Sequence, residues 1–175
     1  MTRFERALKF ILAFEGGLAD HPADPGGRTM RGVTQATYDS FRHKRNLPLQ
    51  DVALITTDEI KAIYYNLYWL KAGCDKLPDG LDLVVFDTAV GSGPDRAIKT
   101  LQKTLYVDAD GIVGPITRGA IDSIKDVAGT INRFMDIRID FLNLIVEQKP
   151  QLKVFIKGWL RRMESLESNA LGDVS

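Results

Sequence analysis

One glutamate stands out because its position conflicts with its charge. The residues before it have the periodicity of an amphipathic helix, whose apolar stripe consists of Phe4, Leu8, Ile11 and Leu12. At about 100° per residue, Glu15 falls in the middle of this stripe. Burial and the C-terminal end of the helix dipole both favour its protonated form. An acid that keeps its proton near neutral pH can protonate a glycosidic oxygen. The alternative is an exposed side chain at a frayed helix end.

The segment after this helix supplies further carboxylates and a hydroxyl. Asp20, Asp24 and Thr29 lie in a stretch rich in glycine and proline, which predicts an irregular loop or a short hairpin. Glycosidases pair two carboxyls across the scissile bond, and an inverting pair needs about 6.5–9.5 Å to hold a water. In this interpretation Asp24 orients or activates the water and Thr29 holds it. Taken alone, Asp24-Pro-Gly-Gly is more typical of a turn, so the catalytic interpretation depends on Glu15.

Three aromatic residues and one further carboxylate are candidates for substrate binding. Tyr65, Tyr68 and Trp69 could line a sugar cleft, because aromatic faces pack well on pyranose rings. Their helical spacing also predicts that at least one packs in the core. Asp87 lies in an apolar run and must be paired if it is buried. We expect a structural hydrogen bond there, with a direct role in the active site as the alternative.

No metal or cofactor site is predicted. His21, His43 and the lone Cys74 do not form a convincing ligand set. The segment 108–111 has two aspartates and a glycine but lacks the remaining ligands of a calcium loop, so we expect a turn. No glycine-rich phosphate loop follows a predicted strand.

Composition and charge limit the possible partners. The chain has 175 residues, 45% of them hydrophobic and 26% charged, with 23 basic and 23 acidic residues. A core can therefore form, but the strong basic field that would favour nucleic acid or an anionic membrane is missing. No stretch approaches the roughly 20 apolar residues of a membrane span. We expect neither nucleic-acid binding nor membrane insertion.

Helical periodicity dominates the sequence and predicts a compact, mainly α fold. Capping-box patterns open helices at Thr2 and Thr56, a buried helix is expected from Leu83 to Val90, and Pro94 and Pro115 each begin another. Two longer helices are predicted at roughly 127–148 and 151–167. The glycines near residue 92 are the one plausible boundary. We therefore predict a catalytic region at 1–92 and a second helical region at 93–175, packed as one body.

The N-terminal helix and the single cysteine bear on where the protein is made. Lys9 interrupts the apolar run at Ala7–Phe14, and Arg3, Glu5 and Arg6 lie just before it, unlike the uninterrupted core of a signal peptide. Cys74 alone cannot form an intramolecular disulfide. We expect synthesis in the cytoplasm without a cleavable signal peptide, so that another protein must give access to any substrate beyond the membrane.

An ordered series of motifs covers nearly the whole chain. The first half contains Phe14-Glu-Gly-Gly17, Pro22-Ala-Asp-Pro-Gly-Gly27, Gly32-Val-Thr-Gln-Ala-Thr-Tyr38, Tyr68-Trp69 and Val85-Phe-Asp87. Together these resemble glycoside hydrolase family 108, the N-acetylmuramidases of phages and bacteria whose catalytic glutamate lies in a Glu-Gly-Gly motif. The second half contains Arg96-Ala-x-Lys-x-Leu-Gln102, Asp110-Gly-Ile-Val-Gly-Pro115 and Trp159-Leu-Arg-Arg162. This half resembles the predicted peptidoglycan-binding domain that accompanies the family.

The resemblance implies a lysozyme-like helical fold and cleavage of the β-1,4 bond between N-acetylmuramic acid and N-acetylglucosamine. The family's acid falls on Glu15. The spacing of Glu15, Asp24 and Thr29 is similar to the Glu-Asp-Thr triad of phage-type lysozymes, with an Asp-to-Thr interval one residue shorter. Asp20 competes with Asp24 as the second carboxylate. The choice between retaining and inverting chemistry stays open.

The leading hypothesis is thus a muramidase that degrades bacterial peptidoglycan, acting as a phage or prophage endolysin. We expect a monomer that reaches the periplasm or cell wall after release by a protein such as a holin. A non-catalytic wall-binding or secretion-accessory module is the alternative, and a chitinase-like specificity is a third possibility. The placement of Glu15 on an apolar stripe favours the enzyme, since a pure binding module gains nothing from such an acid.

Overall fold

The computed structural model describes residues 1–19 and 28–174 and is mainly helical, as predicted. In the described part, eight α-helices form: α1 (Arg3–Phe14), α2 (Gln35–His43), α3 (Thr57–Tyr64), α4 (Leu81–Ser92), α5 (Pro94–Thr104), α6 (Pro115–Asp122), α7 (Val127–Gln148) and α8 (Ile156–Gly172). Short 3-10 helices cover Val52–Leu54, Cys74–Lys76 and Pro150–Val154, and a π-helical turn covers Tyr65–Trp69. Among the described helices, none combines the length and the hydropathy needed to cross a bilayer.

The chain forms two compact units, Met1–Leu67 and Tyr68–Ser175. The two units are defined by packing, and the boundary between them lies before residue 92. The predicted boundary between residues 92 and 93 separates two functional regions, and it stays a prediction. Each unit has its own buried residues, and each is described separately below.

In the first unit, α1 begins with the predicted capping box. The Thr2 hydroxyl accepts a hydrogen bond from the backbone N–H of Glu5 at 3.2 Å, and the Glu5 carboxylate accepts one from the N–H of Thr2 at 2.9 Å. These bonds satisfy two of the donors that a helix start leaves unpaired. The helix then buries Ala7, Leu8 and Ile11, which anchors its C-terminal end in a fixed position.

A small antiparallel sheet follows α1, confirming the expected irregular loop or hairpin. Its strands are β1 (Leu18–Ala19), β2 (Thr29–Met30) and β3 (Val33–Thr34), in the order β1-β2-β3. Met30 pairs with Val33, so only two residues connect β2 to β3. Both of them have positive φ, 48° at Arg31 and 77° at Gly32. Positive φ at both central positions is the geometry of a tight hairpin turn whose twist matches its strands.

The helices α2 and α3 are tied together by a buried tyrosine and an ion pair. The hydroxyl of Tyr38, which is fully buried, donates to Glu59 at 2.8 Å, and Arg42 pairs with the same carboxylate at 2.7 Å. Glu59 also accepts from the backbone N–H of Thr56 at 2.9 Å, completing the second predicted capping box. The start of α3 is therefore held both locally and by α2.

In the second unit, α4 is the central element. Every residue from Leu81 to Ala89 is buried, which is possible because α5, α7 and α8 all pack against it. Two carboxylates of α4 are buried, Asp82 and Asp87. Asp87 pairs with Arg138 of α7 and Arg162 of α8, both at 2.6 Å. Burial lowers the pKa of the Arg138 guanidinium, and the charge of Asp87 opposes that effect. The expected structural pairing of Asp87 is thus an ion-pair cluster that joins three helices.

Candidate active site

Glu15 is the residue at which α1 ends. Its φ of −86° stays near the helical value. Its ψ of 134° is extended and turns the following chain away from the helix axis. The side chain is half-buried. The candidate acid is therefore partly shielded from solvent by its own unit.

The turn between β2 and β3 lies directly against this carboxyl. A Cβ added to Gly32 would lie 3.0 Å from Oε2 of Glu15 and would collide with the hydroxyl oxygen of Tyr64. The Tyr64 hydroxyl in turn donates to the carbonyl oxygen of Arg31 at 2.9 Å. The carboxyl of Glu15 and the hydroxyl of Tyr64 thus both contact the one glycine that leaves room for them.

A groove of about 530 Å³ reaches Glu15. Its lining comes from one face of α1, the glycines after it, the hairpin turn and the start of α3; the residues are Glu5, Leu8, Lys9, Leu12, Ala13, Glu15, Gly16, Gly17, Arg31, Thr57 and Lys61. Glu5 lies 3.6 Å from Lys61, so its charge is partly compensated. Glu15 and Glu5 are thus the two carboxylates of this lining, and Glu15 is the one that also lies against the hairpin turn.

The structure places some of the other predicted site residues but not all. Thr29 lies in β2, half-buried, opposite Ala19 on one side and Thr34 on the other. Asp20 and Asp24 lie outside the described residues. The assignment of either as the second carboxylate, and of Thr29 as the residue that holds a water, stays a prediction.

The three aromatic candidates have different surroundings. Tyr65 is 37% exposed and packs edge-to-face on Phe4, with ring centroids 5.0 Å apart. Tyr68 is half-buried. Trp69 is only 3% exposed and packs on Phe86 with centroids 5.3 Å apart, so it is the aromatic residue that contributes to a core. Whether any of the three contacts sugar stays a prediction, as does a role for Asp87 beyond its ion pairs.

Tyr64 is a residue of the candidate site that the sequence analysis did not single out. It lies on the buried face of α3 and is 1% exposed. A buried tyrosine hydroxyl nevertheless needs a hydrogen-bond partner, and that partner is the hairpin turn beside Glu15. The one available signal in the sequence was the tyrosine hydroxyl, on a buried helix face whose other residues, Ile60 and Ile63, are apolar.

Comparisons with known proteins find matches along most of the chain. The sequence model of glycosyl hydrolase 108 matches residues 8–93, and that of a predicted peptidoglycan domain matches residues 96–164. Among solved structures, the chain is similar to Brucella abortus SagA, with 35% identity, 98% of this chain and 95% of that chain covered, and a TM-score of 0.80. No curated protein was found to match the chain.

The mainly helical, lysozyme-like fold and the family match define the class as a glycoside hydrolase. The chain belongs to glycosyl hydrolase family 108, and a predicted peptidoglycan domain follows the residues that this family matches. It is therefore a glycoside hydrolase whose substrate is peptidoglycan.

Proposed function

We propose that the protein is an N-acetylmuramidase, which cleaves the β-1,4 bond from N-acetylmuramic acid to N-acetylglucosamine with Glu15 as its general acid. The observation that carries this proposal is the position of the Glu15 carboxyl. It lies at the end of α1, against the hairpin turn, and it lines a groove of about 530 Å³. A partly shielded carboxyl beside a groove is what proton donation to a bound glycosidic oxygen requires.

In the proposed reaction, the protonated carboxyl of Glu15 gives its proton to the bridging oxygen as the bond to the sugar's anomeric carbon breaks. Positive charge then develops on that sugar ring and is stabilised by a second carboxylate. We assign this carboxylate to Asp24, with Asp20 as the competitor, and it also orients or activates the water that Thr29 holds. The hydroxide of that water bonds to the anomeric carbon, and its proton passes to a carboxylate. The anomeric form of the first product distinguishes inversion from retention.

Glu15→Gln is the test of the acid, because it keeps the shape and hydrogen-bonding atoms of the side chain while removing the proton that can be donated. Purified cell walls should be cleared by the wild type and left intact by the variant. Removing a general acid typically lowers the rate by about 10²–10⁴-fold. The matched control is Glu164→Gln, which makes the same change at an exposed position of α8 and should keep wild-type activity.

Product analysis tests the bond. After borohydride reduction, a muramidase leaves the reduced sugar on muramic acid, whereas cleavage of the other glycosidic bond leaves it on glucosamine. Reduced glucosamine or an anhydro sugar as the main product would contradict the proposed specificity, and release of chitin oligomers at a comparable rate would favour a chitinase-like enzyme. Wall binding without cleavage by the wild type would favour a non-catalytic module instead.

We further propose that the enzyme acts as a monomeric endolysin, made in the cytoplasm and released to the wall by a holin. The support is that α1 contributes Ala7, Leu8 and Ile11 to the core and leads directly into Glu15, so cleaving this helix as a signal would damage the fold. Expression in a Gram-negative host should cause lysis only when a holin is produced as well. Lysis without a holin would contradict this route, and a dimer in light scattering would contradict the monomer.

A further inference from the structure

A second groove, of about 510 Å³, lies in the unit formed by Tyr68–Ser175. Its lining combines basic and apolar side chains. The basic residues are Lys71, Lys76 and Arg118, and the apolar residues are Leu70, Val113 and Ile121. These residues come from two segments far apart in sequence, one before α4 and one in and before α6. None of them belongs to the groove that contains Glu15.

The two walls of this basic groove are held in contact by defined local structure. Gly73 has a φ of 71°, and a Cβ built on it would lie 3.9 Å from Cγ2 of Val113. The turn that leads into Val113 is fixed by Gln102, whose side chain is fully buried. Its Nε2 donates to Asp110 at 2.7 Å and to the carbonyl of Ile112 at 3.0 Å, while its Oε1 accepts from the N–H of Gly111 at 2.8 Å. The shape of the groove is therefore set before any ligand arrives.

The charges of the basic groove favour an anionic ligand. Lys71 and Arg118 are exposed, and neither has an ion-pair partner within the part of the chain that the structure describes. Lys76 lies 3.2 Å from its neighbour Asp75 but is 78% exposed, where such pairs contribute little. Asp122 is the carboxylate among the lining residues, so three cations face one anion. A ligand that combines carboxylates with short apolar side chains fits this lining.

We propose that the basic groove binds the stem peptide of peptidoglycan through its free carboxylates. This proposal rests on the proposed function only in taking peptidoglycan as the substrate. A stem peptide carries free carboxylates from glutamate and from its terminal alanine, together with alanine methyl groups. The carboxylates match the Lys71 and Arg118 side chains, since guanidinium and ammonium groups form charge-assisted hydrogen bonds with them. The methyl groups match the apolar side chains of Leu70 and Val113 in the lining.

Binding at a site separate from Glu15 has a specific kinetic consequence. A polymer held by its peptide raises the local concentration of glycan near the enzyme. It does not change the chemistry at the scissile bond. Weakening the basic groove should therefore raise KM for intact walls and leave kcat unchanged.

The direct test uses a sugar-free pentapeptide, L-Ala-γ-D-Glu-L-Lys-D-Ala-D-Ala, titrated calorimetrically into the full-length protein. A second peptide with both free carboxylates amidated is compared with it. We expect amidation, or the double change Lys71→Ala with Arg118→Ala, to weaken binding by about tenfold or more, as the loss of charge-assisted hydrogen bonds predicts. Lys103→Ala with Arg161→Ala is the matched control, because both residues are exposed cations outside the groove lining. Arg118→Lys should retain part of the affinity.

Equal binding of the free and amidated peptides would overturn the proposal, and so would equal binding by the groove variant and the control. Displacement of the peptide by inorganic phosphate at a similar concentration would reduce the groove to a general anion site and would also overturn it. Because these measurements involve no glycan cleavage, they remain informative if Glu15→Gln keeps its activity. Peptide binding with no muramidase activity would separate failure of the proposed function from failure of this inference.

Discussion

Replacing Gly32 by alanine tests the contact between the hairpin turn and Glu15. At φ 77°, the glycine adopts a conformation that L-residues with a side chain rarely occupy. A methyl group at this position would lie 3.0 Å from Oε2 of Glu15 and would collide with the Tyr64 hydroxyl. The turn, the tyrosine or the acid must therefore move.

Two costs add in this variant. The positive φ costs about 1–2 kcal/mol for alanine, and forcing a methyl group into an occupied space costs about 1–3 kcal/mol more. We expect Gly32→Ala to lower the free energy of unfolding by about 2–5 kcal/mol in total. If the displaced group is Glu15, a shift of about 1 Å can reduce the rate by about 10²-fold in the molecules that remain folded.

Two other glycines separate these contributions. Gly73 has nearly the same φ, 71°, but a methyl group there would make only an ordinary contact at 3.9 Å, so Gly73→Ala reports strain alone. Gly158 lies inside α8 with no atom near its Cβ position, so Gly158→Ala should stabilise the protein by about 0.5–1 kcal/mol and leave kcat unchanged. Urea denaturation gives the free energies, and wall hydrolysis under conditions where each variant is folded gives kcat.

The result that would refute the reasoning is equal destabilisation by Gly32→Ala and Gly73→Ala together with wild-type kcat in the Gly32 variant. The approach of the turn to Glu15 would then have neither an energetic nor a catalytic consequence. Loss of stability with normal kcat would place the displacement on the Tyr64 side instead.

Two further predictions concern charge. Asp87→Ala leaves Arg138 and Arg162 without their buried partner and should cost about 3–5 kcal/mol in denaturation, whereas Asp136→Ala at an exposed position of α7 should cost less than about 0.5 kcal/mol; similar values for the two variants would contradict the cluster's role. The hydrogen bond from the backbone N–H of Thr2 lowers the pKa of Glu5 below its usual value of 4.5, so its stabilisation is present above that value and lost as the pH falls through the folded-state pKa. Glu5→Gln keeps the acceptor but does not titrate, so between about pH 5 and about pH 3 the wild type should lose more stability than this variant; parallel pH profiles would contradict the assignment.

The elements that the sequence predicted well are those whose signals are local. Both capping boxes form because their partners are three residues apart. The helices α5 and α6 begin at Pro94 and Pro115, because the backbone N–H that proline lacks would have no partner in the first turn of a helix. The predicted helix at 127–148 is confirmed as Val127–Gln148. The predicted start of the last helix at 151 is wrong: Pro150–Val154 is a 3-10 helix and α8 begins at Ile156. Both helix types bury residues three apart, so the apolar pattern could not separate them.

The helix that starts at Thr57 shows a second limit of local reasoning. The apolar residues at helical spacing favour one α-helix that continues before Gly73; they are Ile60, Ile63, Tyr64 and Leu67. In the structure, α3 ends at Tyr64 and Tyr65–Trp69 forms a π-helical turn. A π-helical turn inserts one extra residue per turn and rotates every later side chain relative to the earlier ones. Trp69 is consequently directed to a buried position against Phe86. Packing determines where such a rotation occurs. A sequence pattern analysed at a fixed period of 3.6 residues cannot predict it.

Glu15 could be found from sequence because a charge on an apolar stripe is a conflict within one helix, visible without knowing any neighbour. Tyr64 could not, because its contact with the site depends on a turn more than thirty residues earlier in the chain. That turn accepts the tyrosine's hydrogen bond at the carbonyl of Arg31 only because Arg31 and Gly32 both adopt positive φ. Two short strands joined by two residues fix this geometry. The position of Glu15 is therefore determined by α1, whereas the space around its carboxyl is determined by the hairpin and by Tyr64 of α3. No local pattern in the sequence predicts that these two segments meet.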